Sequence, residues 1–282
     1  MAVFLVIVIA IGYFISYYYD NAAILVIAVI FALAMNVTSY WYSDKISLSL
    51  AHAQLADRNQ NVELFQVIEN LSITAGLPMP KVYIIPDPAP NAFATGRDKE
   101  HASVAVTSGL LGMMDKNELS GVIAHELSHI GNRDILLSTV VVVLVGFISI
   151  IAYIFTRSMW LGGGRRRGNG REGEAGAIIM IVGVIFVILS PIIAQLIQLA
   201  ISRRRESLAD TDGALLTRYP EGLASALEKI EAYGRPMATA NNATAHLYIS
   251  NPFGEGASKG IAKLFMTHPP TEERIKALRE ME

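Results

Sequence analysis

His125, Glu126 and His129 stand in the order His-Glu-Leu-Ser-His. Positions i and i+4 of an α-helix share one face, so both imidazoles can address a single ion. Glu126, next to the first histidine, then sits beside the open coordination position. There its carboxylate can take a proton from a water that attacks a peptide carbonyl. The flanking residues supply the helix this chemistry requires. Asp115 is a good N-cap, Glu118 adds a negative charge to the first turn, and the helix is predicted to run to about Gly131. The bland alternative is a surface helix with two solvated histidines.

A catalytic metal needs a third protein ligand. The chain has no cysteine, so any metal must be held by histidine and carboxylate, and mixed His/Glu ligation with an open position suits zinc, one ion per chain. Glu206 and Asp210 are again spaced i and i+4, in Arg-Arg-Arg-Glu-Ser-Leu-Ala-Asp. One carboxylate can bind the metal while the other accepts a hydrogen bond from the outer nitrogen of a ligating histidine. Taken alone, this pair reads more readily as a solvated face. His52, His101 and His246 lie outside any metal-spaced pattern and are read as surface or structural.

The elements around these residues are divided by hydrocarbon. Of 282 residues 52% are apolar and 17% charged, against about a quarter charged in an ordinary soluble domain, and the mean hydropathy is +0.40. Residues 2–19, 21–43, 135–156 and 175–202 contain no Asp, Glu, Lys, Arg or His, and each is near or above the roughly 18–20 residues a spanning helix needs. Met1-Ala2 offers no positive n-region, and the first run continues into Tyr17-Tyr18-Tyr19, so it reads as an uncleaved span ending in an interfacial aromatic cluster. The organisation expected is therefore two N-terminal transmembrane helices (1–43), a first polar part (44–134), a transmembrane hairpin (135–202) whose loop 157–174 is rich in glycine and arginine, and a second polar part (203–282).

Helices are expected at Val62–Ile73, Ser202–Thr217, Glu221–Ala232 and Thr271–Met281, with strands at Lys81–Ile85, Asn91–Thr95 and Ser103–Thr107. Neither polar part alone carries enough strand to close a sheet, so together they should form one mostly helical α+β domain at the membrane face. If His129 and Glu206 meet at one ion, the two runs between them must cross the bilayer and return. Lys45, Arg58, Lys116, Arg133, Arg203, Arg204, Arg205 and Arg218 flank the spans on the site side, against Arg157, Arg165, Arg166, Arg167 and Arg171 opposite. That balance favours a cytoplasmic site. The formal net charge of −2 gives no reason to expect nucleic acid as a partner.

Together, Ala-His-Glu-Leu-Ser-His-Ile-Gly-Asn-Arg-Asp-Ile and the later Glu206/Asp210 segment resemble the HtpX family of bacterial and archaeal membrane metalloproteases, zincin-like enzymes of the gluzincin group related to the CAAX prenyl proteases and Oma. The resemblance runs from the first apolar run to the last helix. It includes Pro90-Asn91-Ala92-Phe93-Ala94-Thr95-Gly96 and Thr267-His268-Pro269-Pro270. It implies that His125, His129 and Glu206 ligate zinc, that Glu126 is the general base, and that Asp210 orients a ligand histidine. It further implies that His268, with Arg274, faces the scissile carbonyl, and that Asn91, Ala92, Phe93 and Ala94 form an edge strand that pairs with substrate backbone. The implied enzyme is a multi-pass plasma-membrane endopeptidase for misfolded or damaged membrane proteins, its site on the cytoplasmic side. A processing protease of the prenyl type would need more spans. A transporter would be expected to carry ionisable groups inside its spans, and a catalytically dead scaffold would not keep every residue type the reaction needs.

Overall fold

The structure is a computed structural model that describes residues 2–18, 20–143, 145, 203–254 and 269–281. The chain divides into two compact units, one formed by Met1–Tyr42 and Val143–Gln195, the other by Ser43–Val142 and Leu196–Glu282.

The described part of the first unit is helical. Helix α1 spans Ala2–Tyr18, and α2 begins at Ala22 and ends at Leu50. With no charged side chain before Asp44, nothing breaks the apolar character of α2 through its first five turns. Among the described residues one helical stretch is long and apolar enough to cross a membrane, Ala22–Tyr42, 21 residues. Helix α1 has 17. Of the two later runs, only the beginning is described, as the apolar helix Asp134–Val143; the remainder of both lies outside the described residues.

The second unit carries the site. It contains β1 (Gln54–Leu55), α3 (Val62–Ala75), β2 (Lys81–Ile85), β3 (Ala92–Gly96), β4 (Ala102–Thr107), α4 (Ser108–Met113) and α5 (Lys116–Gly131), then α6 (Asp134–Val143), α7 (Arg203–Thr217), α8 (Pro220–Tyr233) and α9 (Thr271–Arg279). The strands form one sheet in the order β1-β2-β4-β3, with β2 parallel to β4 and the other pairs antiparallel. All four come from the first polar part. The expectation that neither part could build a sheet alone missed β1, whose two residues leave no alternating signal to read.

Helix α5 is central, packed on α3, α7, α8 and β3. From Glu118 to Ser128 all its residues except Ser120 are buried, a helix enclosed all round rather than on one stripe. Leu119, Val122, Ile123, Leu127 and Ile130 join Leu64, Ile68 and Leu71 of α3 and Val104 and Val106 of β4 in the core. Its start is held by a full capping box: the Asp115 carboxylate accepts from the backbone of Asn117 and Glu118, and the Glu118 side chain accepts from the backbone of Asp115. Such a cap stabilises by about 1 kcal/mol. Glu118 also accepts from Ser225 Oγ and Lys229 Nζ of α8, both at 2.6 Å, which fixes where the helix begins and therefore where its histidines end up.

Candidate metal centre

The spacing on α5 places the His125 and His129 rings in edge contact, centroids 4.7 Å apart. Glu206 comes from α7. Its approach depends on a small residue one turn beyond Asp210: a Cβ on Gly213 would lie 3.0 Å from the backbone nitrogen of His125, so only glycine lets the two helices come this close without a shift. On α7 the buried positions are Glu206, Ala209, Asp210, Gly213 and Ala214, a helical stripe whose members are acidic or small. That is why hydropathy alone left this segment ambiguous.

One ligand atom each from His125, His129 and Glu206 lie within 4.8 Å of one another. The Nε2 atoms of the two histidines are 3.2 Å apart, and Glu206 places its oxygens 3.8 Å from the first and 3.6 Å from the second. Ligands tetrahedrally arranged about zinc at ordinary bond lengths sit roughly 3.4 Å apart. The outer nitrogens argue the same way. His125 Nδ1–H donates to Asp210 Oδ1 at 2.9 Å, and His129 Nδ1–H donates to Asp134 Oδ2 at 3.2 Å. In the neutral rings both protons are thereby assigned to Nδ1, and the two Nε2 lone pairs face each other and a carboxylate. In that neutral state three acceptors converge without a donor, which suits a cation.

Burial and neighbours tune these groups. Burial pushes Glu126 up to about 7, the nearby Glu206 charge adding to the effect while His129 opposes it and a backbone hydrogen bond from Ala94 favours the carboxylate. For His129 burial acts downward, but the Asp134 hydrogen bond and the charges of Glu206, Glu126 and Asp134 outweigh it, and the ring is raised to about 9. Burial holds His125 below its ordinary value in spite of Asp210. Asp210 is also opposed by burial, yet the charge of Arg274 and the His125 hydrogen bond keep it well below the usual carboxylate range.

The expected substrate-side residues fall in different places. Among the described residues strand β3 is the edge of the sheet, pairing only with β4, but its outer rim is occupied. Ile249 N–H donates to Ala92 O at 3.0 Å, and Gly96 N–H reaches Thr139 Oγ1 of α6 at 3.3 Å. Phe93 is fully buried against Tyr248, edge to face at 5.1 Å, and the Asn91 amide is spent on the backbone of Ser250. Arg274 is 5% exposed. It forks onto Asp210 (Nε–Oδ2 2.9 Å, Nη2–Oδ1 2.7 Å) and donates from Nη1 to Ile249 O at 3.1 Å. His268 lies outside the described residues.

Two residues that the spacing did not single out are at the site. Asp134 accepts from His129 as described. His246 is buried, not at the surface; its Nε2 meets Ser138 O at 2.9 Å, and with Ala94, Glu126, Glu206 and Leu247 it lines a cavity of about 20 Å³ that His125 and His129 also line.

A His-Glu-x-x-His helix facing a glutamate on a second helix, beside the edge strand of a small sheet, is the arrangement of a metallopeptidase. Residues 57–282 match the family model described as peptidase family M48, and the chain belongs to that family. It is 48% identical over 282 residues to a protease HtpX homolog of Caldanaerobacter subterraneus subsp. tengcongensis, covering 100% of this chain and 93% of that one. A protease HtpX homolog of Thermococcus sibiricus is 48% identical over 271 residues, 95% of this chain and 90% of the relative. The crystal structure of S. mikatae Ste24p superposes with a TM-score of 0.54 at 19% identity, covering 95% of this chain and 62% of that one, a likeness of fold. The chain is thus a membrane-associated, metal-dependent protease.

Proposed function

We propose that this protein is a zinc endopeptidase that cleaves misfolded or damaged membrane proteins, from a site on the cytoplasmic side of a plasma membrane it crosses several times. The observation that carries the reading is the convergence of two Nε2 lone pairs and the Glu206 carboxylate, with Glu126 buried beside them. The names of the HtpX homologues support a protease, the family resemblance implies the choice of substrate, and the apolar runs support the topology.

His125, His129 and Glu206 would hold the zinc, which supplies Lewis acidity to a peptide carbonyl and acidifies a water. Glu126, buried beside those residues, is placed to accept that water's proton and return it to the leaving amine. The cavity of about 20 Å³ holds about one water and no peptide. Pairing of substrate with β3 therefore requires residues 245–249 to give up the Ile249–Ala92 hydrogen bond, after which Ala92 O is free to accept from substrate backbone.

Glu126→Gln tests the assignment. The variant keeps all three ligands and should bind zinc with unchanged stoichiometry, while hydrolysis of an unfolded protein substrate by the detergent-solubilised enzyme falls about 10²- to 10⁴-fold. Cleavage at the wild-type rate removes Glu126 as the base.

A further inference from the structure

The reaction just described makes no use of Asp134 and Arg205, although both stand next to its ligands. Asp134 follows His129 by five residues, a spacing that on one continuous helix would not bring them together. The chain between them is not continuous helix. Helix α5 ends at Gly131, Arg133 adopts a left-handed backbone at φ 62°, and Asn132 Nδ2 donates to Asp212 Oδ2 of α7 at 2.9 Å. A left-handed arginine is disfavoured relative to glycine, and here it turns the chain so that the first residue of α6 faces back onto the histidine. Asp134 Oδ2 then accepts from His129 Nδ1 at 3.2 Å, and its other oxygen lies 3.6 Å from Arg205 Nη1, with the two side chains 10% and 26% exposed. Arg205 precedes Glu206 on α7. One short stretch of helix thus presents a ligand to the two imidazoles and a cation to the carboxylate behind one of them.

We propose that Asp134 is the positioning residue for His129, seated by Arg205. By accepting from Nδ1, Asp134 assigns the proton to that nitrogen, leaves the lone pair on Nε2 and makes it a stronger donor to metal. Arg205 holds the carboxylate's second oxygen, so that the first stays on the ring. Asp134 immediately precedes the uncharged 135–156 run and Arg205 closely follows the 175–202 run. The contact therefore joins, at the metal centre, the two ends of the long insert. The proposal rests on the reading of His125, His129 and Glu206 as metal ligands.

The test is metal affinity of the full-length detergent-solubilised protein, measured by competition with a chelator for Zn²⁺, together with the visible absorption of the Co²⁺-substituted form. Asp134→Ala should weaken Zn²⁺ binding by about 10- to 100-fold and shift the Co²⁺ bands, and at saturating zinc it should lower kcat more than KM. Asp134→Asn, whose amide oxygen can still accept from Nδ1, should recover part of the affinity, and it carries the test if the alanine variant does not fold. Arg205→Ala should give a smaller loss that Arg205→Lys restores, because the contact is a single charge at 3.6 Å rather than a fork. A folded Asp134→Ala protein with wild-type zinc affinity and Co²⁺ spectrum overturns the proposal, as does a loss confined to melting temperature. His129→Ala in the same titration separates the two readings: if it binds zinc like wild type, the ligand assignment fails and not the role of Asp134.

Discussion

His125 and His129 lie one turn apart on the same helix, and each donates its outer nitrogen to an aspartate that meets an arginine, but the two arms are built to different tolerances. On the His125 arm the distance to Asp210 is 2.9 Å, and the ring, carboxylate and Arg274 side chains are 1%, 6% and 4% exposed. Arg274 closes onto both carboxylate oxygens. On the His129 arm the distances lengthen to 3.2 and 3.6 Å, and the exposures rise to 16%, 10% and 26%. The first arm reaches across to α9 and is shut inside the unit. The second is local, made by the turn after α5 and the start of α7. Charges excluded from water attract one another strongly, but removing either member strands its partner. The His125 arm therefore serves the fold as much as the proposed metal site, whereas the His129 arm can orient its histidine with little influence on stability.

The largest effect that would break this contrast is on stability. Asp210→Ala leaves the Arg274 guanidinium buried without its carboxylate and should cost about 3–5 kcal/mol in denaturant unfolding, besides weakening metal binding. Asp134→Ala, in the wetter arm, should cost about 1 kcal/mol or less. Equal losses would mean that the two arms do not differ as the geometry says.

The contrast also sets a pH dependence. His129 is raised to about 9 from an ordinary 6.5, so between those values the chelator-treated folded protein holds a proton the unfolded chain has released. Stability from this group is complete below about 6.5 and is lost as pH rises through about 9. Glu126, raised to about 7 from 4.5, has the same sign in a lower window. Melting temperatures of chelator-treated protein should therefore fall from pH 6 to 9. If zinc binds His129 as proposed, it must displace that proton, and its stabilisation should grow over the same range. On the other arm, lowered Asp210 contributes stability that is present above its ordinary pKa and lost only in acid. A flat melting profile from pH 6 to 9 would show that His129 does not carry the raised pKa.

The better-seated arm was the one the sequence made easier to find. His125 and His129, and likewise Glu206 and Asp210, are neighbours through the helical repeat, a local rule that spacing reveals. Asp134 escaped notice because its relation to His129 depends on a left-handed turn at Arg133, and because the last charge before an apolar run reads as the edge of a span. Arg274 was associated with the right region through resemblance but given a substrate-facing place; its fork to Asp210, 64 residues away in sequence, is a tertiary fact with no local signal. The same holds for His246, brought to the cavity by the irregular segment after α8. The strands of the sheet were placed to within a residue or two, apart from β1, since Pro and Gly punctuate them. What covers the outer rim of β3 was not legible, because rim contacts from Ile249 and Thr139 are backbone-directed and leave no pattern in side-chain type.

The smallest effect is the sharpest comparison of the two arms, made with one conservative replacement at each arginine. Lysine keeps the charge but replaces a planar five-donor fork by a flexible point donor. At position 274 the fork is in use: Nε and Nη2 take separate oxygens of Asp210, while Nη1 donates to Ile249 O. An ammonium can keep one of those three contacts in the same buried space, and the loss of a hydrogen bond to a charged group costs about 1.5–3 kcal/mol. At position 205 a single nitrogen stands 3.6 Å from Asp134, a charge contact without fork geometry that an ammonium can reproduce. Arg205→Lys should therefore stay within about 0.5 kcal/mol of wild type, with unchanged zinc affinity, while Arg274→Lys unfolds measurably earlier in denaturant. The ratio of the two effects, rather than either alone, reports how differently the arms are seated. If Arg205→Lys is as damaging as Arg274→Lys, then the guanidinium at 205 makes a directed contact of its own, and the His129 arm is as rigid as its neighbour.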